Sequence, residues 1–177
     1  MLEKMSDFFE ARLDGYDEHM MTNIESANEF YPFTAKQLPT TENCHVLDLG
    51  CGTGLELQEY YLLNPSAMVT GIDLSQGMLA ELKRKFANKD ITLMLGSYFD
   101  VPFGEEVFDA AVSVESLHHF TKGEKIKLLK KSGDNAIIEA NIMQAVPYRS
   151  AIGGIYDKRS ISGVLRFGAL HRAGLSV

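Results

Sequence analysis

Short apolar runs alternate with amphipathic stretches along this chain as far as Ile142. Val46, Leu47 and Leu49 enclose Asp48 in a compact run, the pattern of a buried strand bounded by turn signals. Leu55, Leu57, Tyr60 and Tyr61 then mix with Glu56, Gln58 and Glu59 at helix-like spacing. Met68 to Ile72 predicts a second strand. Ser75 stands where it would cap a helix whose apolar face is Met78, Leu79, Leu82 and Phe86, ending near Asn88. Ile91 to Leu95 reads as a third strand, and Phe108 to Val114 as a fourth, too continuously apolar to have a solvated face. Lys125 to Lys131 begins a helix that stops at Ser132-Gly133-Asp134, and Asn135 to Ile142 predicts a fifth strand. Strands alternating with helices predict an α/β fold: a Rossmann-like, doubly wound, mostly parallel sheet with helices on both faces.

Before the first strand, Leu2, Met5, Phe8, Phe9 and Leu13 lie near helical spacing, in a segment running to about Glu25 that Gly15 interrupts. Phe30, Phe33 and Leu38 predict a further helix ending at Pro39, and Thr40 to Asn43 the turn into the first strand. His45 is expected just outside that strand, at the surface.

The chemistry concentrates after the first strand. Gly50, Gly52 and Gly54 occupy alternate positions, leaving a main chain that a ligand can approach closely. Asp73 ends the second strand 19 residues after Gly54, where an acid accepts from both hydroxyls of a ribose. A nicotinamide-binding turn would need glycine at residue 55, which is leucine, and has no need of an acid two residues before its first glycine, where Asp48 stands. A nicotinamide-dependent oxidoreductase is therefore the weaker reading.

With Val-Leu-Asp-Leu-Gly-Cys-Gly-Thr-Gly at 46–54, Gly71-Ile-Asp-Leu-Ser75, Gly96 to Phe103 and Phe108 to Phe120, the chain resembles the class I S-adenosylmethionine-dependent methyltransferases, small-molecule type, over roughly residues 5 to 131. The resemblance implies S-adenosyl-L-methionine as cofactor and S-adenosyl-L-homocysteine as product. It implies a cofactor site of Tyr16, Asp48, Gly50, Gly52, Asp73, Leu74, Met78, Ser97, Tyr98 and Glu115. Asp48 would order the turn and meet the donor's amino group, Asp73 would bind the ribose, and Leu74 and Met78 would flank the adenine. Many relatives carry aspartate where this chain has Ser97. Tyr16 either reaches the methionine end of the donor or sits exposed on a surface helix. Methyl transfer is mainly catalysis by orientation. Where the acceptor is a hydroxyl a base helps, and His118, His119 and Glu115 are the groups available, each histidine having the alternative of simply closing its loop. No Asn/Asp-Pro-Pro-Tyr motif follows the fourth strand, so the expected acceptor is a small molecule rather than an adenine or glutamine amino group. The rival to a methyltransferase is a non-catalytic binding remnant or regulatory protein.

Length and charge refine this picture. At 177 residues the chain fits one domain, divided into a helical amino-terminal cover (1–40), a cofactor-binding core (41–144) and an atypical tail (145–177). The tail holds five Lys/Arg against one acid, a net +4, so the overall −7 leaves −11 on what precedes it. An acidic body argues against nucleic acid as partner. Cys44 and Cys51 form neither a disulfide framework nor a metal cluster, so no metal is expected. With no membrane-length apolar run and no secretory pattern after Met1, a cytoplasmic protein is expected. The family's last antiparallel strands are expected to be incomplete, as in a truncated or frame-altered product. The fifth strand would then be an open edge, and a homodimer through it one remedy.

Overall fold

The computed structural model describes residues 5–24, 27–102, 108–131, 137–140 and 165–167. Its sheet has the order β3-β2-β1-β4-β5-β6, built from β1 (His45–Leu49), β2 (Met68–Asp73), β3 (Ile91–Leu95), β4 (Ala110–Val114), β5 (Ile137–Ala140) and β6 (Leu165–Phe167). The first five strands are parallel, and β6 runs antiparallel to β5. Strand order reverses between β1 and β4, the place where open α/β sheets form ligand crevices. The expected architecture is the observed one.

The two-residue period of the strands divides the core. Val46, Val69 and Val112 point to one face, where they pack with Phe30, Leu57, Tyr60 and Leu82 from α3 (Ala27–Ala35), α4 (Leu55–Leu63) and α5 (Gln76–Lys85). Leu47, Leu49, Ile72 and Ala111 point to the other, against Tyr98, Leu117 and Leu128, the last from α6 (Lys122–Lys131). Both faces are therefore covered, which is why the strands read as near-continuous apolar runs. Asp48 falls on the first face, deep beneath α4.

Ser75 caps α5 as expected, its hydroxyl accepting from Met78 N at 3.1 Å. The sixth helix starts three residues earlier than its apolar pattern suggests. Thr121 and Glu124 make a reciprocal capping box: Thr121 N donates to Glu124 Oε2 at 2.8 Å, and Glu124 N to Thr121 Oγ1 at 3.4 Å. His45 corrects its assignment to the surface. It is the first residue of β1, half-buried against Phe108, with Nε2 2.8 Å from Thr70 Oγ1. Phe33 is exposed, and α3 ends at Ala35, so Leu38 is buried from the turn beyond it.

The open fifth-strand edge is also corrected. Ile137, Ile138 and Glu139 pair with Phe167, Arg166 and Leu165 of β6, a tail strand that the apolar pattern does not announce. Leu2, Phe103, the Ser132-Gly133 turn, both ends of the predicted fifth strand and the tail apart from β6 lie outside the described residues.

Two short helices, α1 (Met5–Glu10) and α2 (Tyr16–Asn23), precede the sheet, separated by Gly15 at φ 75°. Neither contains a buried residue. Tyr16, Met20 and Met21 of α2 pack partly buried against the core, and polar contacts add to the hold. Glu10 Oε2 accepts from Ser75 Oγ at 2.7 Å and Gly77 N at 3.1 Å, at the amino end of α5. Asp17 takes Lys85 Nζ at 2.6 Å, at the other end of α5, and accepts from Thr53 Oγ1 in the glycine turn. Among the described residues no helix is long and apolar enough to cross a membrane, and no group of three His, Cys, Asp or Glu is arranged to hold a metal ion.

Candidate ligand pocket at the strand ends

The glycine turn is anchored to β2. Gly50 N and Cys51 N both donate to Ile72 O, at 2.8 and 3.2 Å. Gly52 N donates to Asp73 Oδ2 at 2.9 Å, and Ser75 N to Asp73 Oδ1 at 2.8 Å. A single carboxylate thereby ties the turn to the start of α5. Burial pushes the Asp73 carboxyl up, and the backbone donors of Ser75, Gly52 and Leu74 oppose that shift. Gly52 has φ 48° and nothing within 4 Å of where a Cβ would stand, so its main chain is bare toward the space in front of it.

That space is a pocket at the carboxyl ends of the strands. Tyr16, Gly50, Gly52, Asp73, Leu74, Met78, Ser97, Tyr98 and Glu115 line it, together with His119. The fold thus brings together nine of the ten residues expected at a cofactor site. Met78, only 2% exposed, serves the core and the pocket wall at once. Tyr16 is half-buried rather than exposed. Asp48 is the exception: it is wholly buried behind the turn and does not line the pocket.

Five lining residues escape sequence reasoning: Met5 and Phe9 from the cover, then Val114, Ser116 and Phe120. The last three flank residues already singled out, so chain proximity was the available signal. Met5 and Phe9 sit four apart on α1, one helical turn, but only the fold shows which way that stripe faces. Tyr98 OH lies 3.1 Å from Ser116 Oγ, and its ring meets Phe120 edge-on at 5.7 Å. Glu115 adopts φ 50°, an uncommon conformation for a residue with a side chain, at the point where β4 turns across the pocket.

The two histidines separate. His119 lines the pocket; His118 does not. His118 Nδ1 is 3.7 Å from Glu115 Oε2, and its ring lies 3.9 Å from that of His119. Burial, then the charges of His119 and Lys125, hold the His118 imidazole down to about 4. A base that weak is ill-matched to taking a proton at neutral pH. Because the folded state then binds fewer protons than the unfolded chain, whose histidine titrates near ~6.5, His118 contributes stability above that pH that is lost as pH falls toward 4. Its imidazole proton resonance should titrate with a midpoint near 4. A midpoint at the ordinary histidine value would refute the buried environment.

The strand, bare turn, helix and ribose-type acid lie within a stretch that matches a family model, "Methyltransferase domain", over residues 46–134, just over half of the chain. This protein belongs to the methyltransferase-domain family. The demethylmenaquinone methyltransferase of Symbiobacterium thermophilum is 30% identical over 148 residues, covering 76% of this chain and 58% of the relative. The malonyl-[acyl-carrier protein] O-methyltransferase of Bacillus cytotoxicus is 28% identical over 136 residues, 70% of this chain and 48% of the relative. The chain therefore spans about half the length of these curated relatives. Among solved structures, a DhpI-SAM-HEP complex superposes with a TM-score of 0.60 at 19% identity, covering 80% of this chain and 68% of that one. At that identity the likeness is one of fold.

Proposed function

We propose that this methyltransferase-family chain binds S-adenosyl-L-methionine and transfers its methyl group to a small-molecule acceptor. The observation that carries this reading is the bare main chain at Gly52, bonded to the Asp73 carboxylate beside it, with Gly50, Gly52 and Asp73 all lining one pocket. The donor supplies an activated methyl: the acceptor's lone pair forms the new bond to carbon while the carbon–sulfur electrons return to sulfur, leaving S-adenosyl-L-homocysteine.

The remaining work falls to the chain. Gly50 and Gly52 give the methionine portion access to backbone. Asp73 keeps acceptor capacity for the ribose hydroxyls beyond the bonds it takes from backbone N–H groups. Leu74 and Met78 are apolar faces for the adenine. Ser97 Oγ already accepts from Phe99 N at 3.2 Å, which leaves its own proton for a ring nitrogen. Phe9, Tyr16, Tyr98 and Phe120 supply aromatic faces and Asp73 and Glu115 negative charge; no Lys or Arg is among the described lining residues. Such walls suit a cationic sulfonium. His119 faces the acceptor side, and where the acceptor is a hydroxyl it would receive the proton. The acidic body and the curated relative named for a quinone precursor support a small-molecule acceptor.

Calorimetric titration with S-adenosyl-L-methionine, S-adenosyl-L-homocysteine and NAD tests the cofactor. Saturable binding of the first two in the micromolar range, on the order of −8 kcal/mol, is expected, and none of NAD. NAD binding without the others would overturn the reading. Turnover of demethylated quinols or acyl thioesters, against no turnover on any small molecule, separates the enzyme from a binding remnant.

A further inference from the structure

Glu56 lines no part of the pocket, yet it is one of two fully enclosed carboxyl groups behind the glycine turn. Asp48 lies near the end of β1 on the face covered by α4, and Glu56 occupies the first turn of α4, just past Gly54. They are 0% and 4% exposed. No N–H or O–H of the described residues bonds to either oxygen of Asp48 or to Oε1 of Glu56. A carboxylate only accepts, so two ionised groups here would be adjacent buried anions with no donor to Asp48 and only its own backbone N–H to Glu56, a strongly unfavourable arrangement. One proton resolves the conflict. The two groups are in hydrogen-bonding reach of each other, and a protonated Asp48 would donate to an ionised Glu56.

The surroundings favour that assignment. Asp73 faces the pair from β2, Tyr16 from α2, Tyr31 from α3, Tyr61 from α4, Cys51 from the turn and Lys85 from α5. Lys85 is the cation of this set, and it is already 2.6 Å from Asp17. Burial, followed by the charge of Glu56, pushes the Asp48 carboxyl well up, while its bond to Asp48 and its own backbone bond moderate the rise at Glu56.

We propose that Asp48 and Glu56 hold one proton between them, and that a ligand ammonium group arriving at the glycine turn displaces it. Glu56 is thus a positioning residue acting through Asp48. The Asp48 O–H bond breaks, its proton passes to solvent, and the new carboxylate is compensated across the glycine turn by the ligand cation, Asp48 itself staying behind the pocket wall. This rests on the cofactor reading above, because it assigns the ammonium to the amino-acid end of S-adenosyl-L-methionine.

Calorimetry between pH 5.5 and 7, in buffers of different protonation enthalpy, counts the protons released; in this range the ligand's own ammonium stays charged, since α-amino groups titrate near ~7.8. The probes are S-adenosyl-L-methionine and methylthioadenosine, which lacks the amino-acid end. The wild-type protein should release about one proton on binding the first and none on binding the second, with affinity for the first rising up to about tenfold per pH unit. Glu56→Gln offers Asp48 a permanent amide donor, so release and pH dependence should both vanish. Asp48→Asn should weaken S-adenosyl-L-methionine at least tenfold and leave methylthioadenosine within about twofold; thermal unfolding checks that each variant folds. Binding without proton release, or release undiminished in Glu56→Gln, overturns the proposal while the cofactor reading stands. Failure of both probes to bind overturns the cofactor reading and this inference with it.

Discussion

Replacing Asp73 with alanine should weaken S-adenosyl-L-methionine and S-adenosyl-L-homocysteine by at least about 100-fold. Two losses combine. The carboxylate accepts from Gly52 N and Ser75 N, and hydrogen bonds to a charged group are each worth about 1.5–3 kcal/mol. Without them the glycine turn loses its tie to the amino end of α5. The ribose hydroxyls then lose their acceptor as well, and about 2.7 kcal/mol suffices for a 100-fold effect. Asp73→Asn should fall between, because its amide keeps one oxygen but presents an N–H₂ to a backbone donor. Calorimetric titration, with a thermal scan to show that each variant is folded, measures this. Undiminished affinity in a folded alanine variant would sink the ribose role.

Gly50→Ala should damage the fold itself. At φ 78° an L-residue is strained by roughly 1–2 kcal/mol. The new Cβ would also stand 2.6 Å from Ser116 Cβ, closer than carbon atoms approach without movement, and overpacking of this kind costs about 1–3 kcal/mol. Together these predict a fall in Tm on the order of 10 °C for a chain of this size. Ser116 is the hydroxyl beside Tyr98 OH, so its displacement disturbs the pocket wall too. Gly52→Ala is the control: it shares the positive φ, but open space surrounds its Cβ. It should lose stability only by the backbone strain while still obstructing the ligand. Equal Tm values for the two variants would refute the packing argument.

The glycine turn and the acids around it were legible because they are local. Asp48, the three glycines and the Asp73 that ends the next strand are read within thirty residues, and parallel pairing of β1 with β2 brings them together. The cover was half legible. Its apolar spacing pointed to helices, but the bonds that hold it, Glu10 to Ser75 and Asp17 to Lys85, join residues 65 and 68 positions apart. Nothing in a helical pattern says which carboxylate will find which partner. Glu56 looked like an ordinary polar position beside Gln58 and Glu59, and only the enclosure of its helix turn against β1 makes it unusual. β6 was invisible for a different reason: a three-residue strand carries too short an alternation to register, and Arg166 interrupts its apolar character. The start of α6 was missed for no such reason, since Thr121 and Glu124 spell a capping box in the sequence itself.

The absence of buried residues from α1 and α2 bears on how such a protein changes over generations. Most substitutions that threaten a domain do so by disturbing its interior, and these helices lend it only partly buried side chains such as Tyr16, Met20 and Met21 at its margin. Met5, Phe9 and Tyr16 nevertheless form part of the pocket wall. Mutations there can accumulate and reshape the roof over the ligand while the strands and the glycine turn beneath stay folded. The part of the molecule freest to drift is also the part that would meet a new acceptor first.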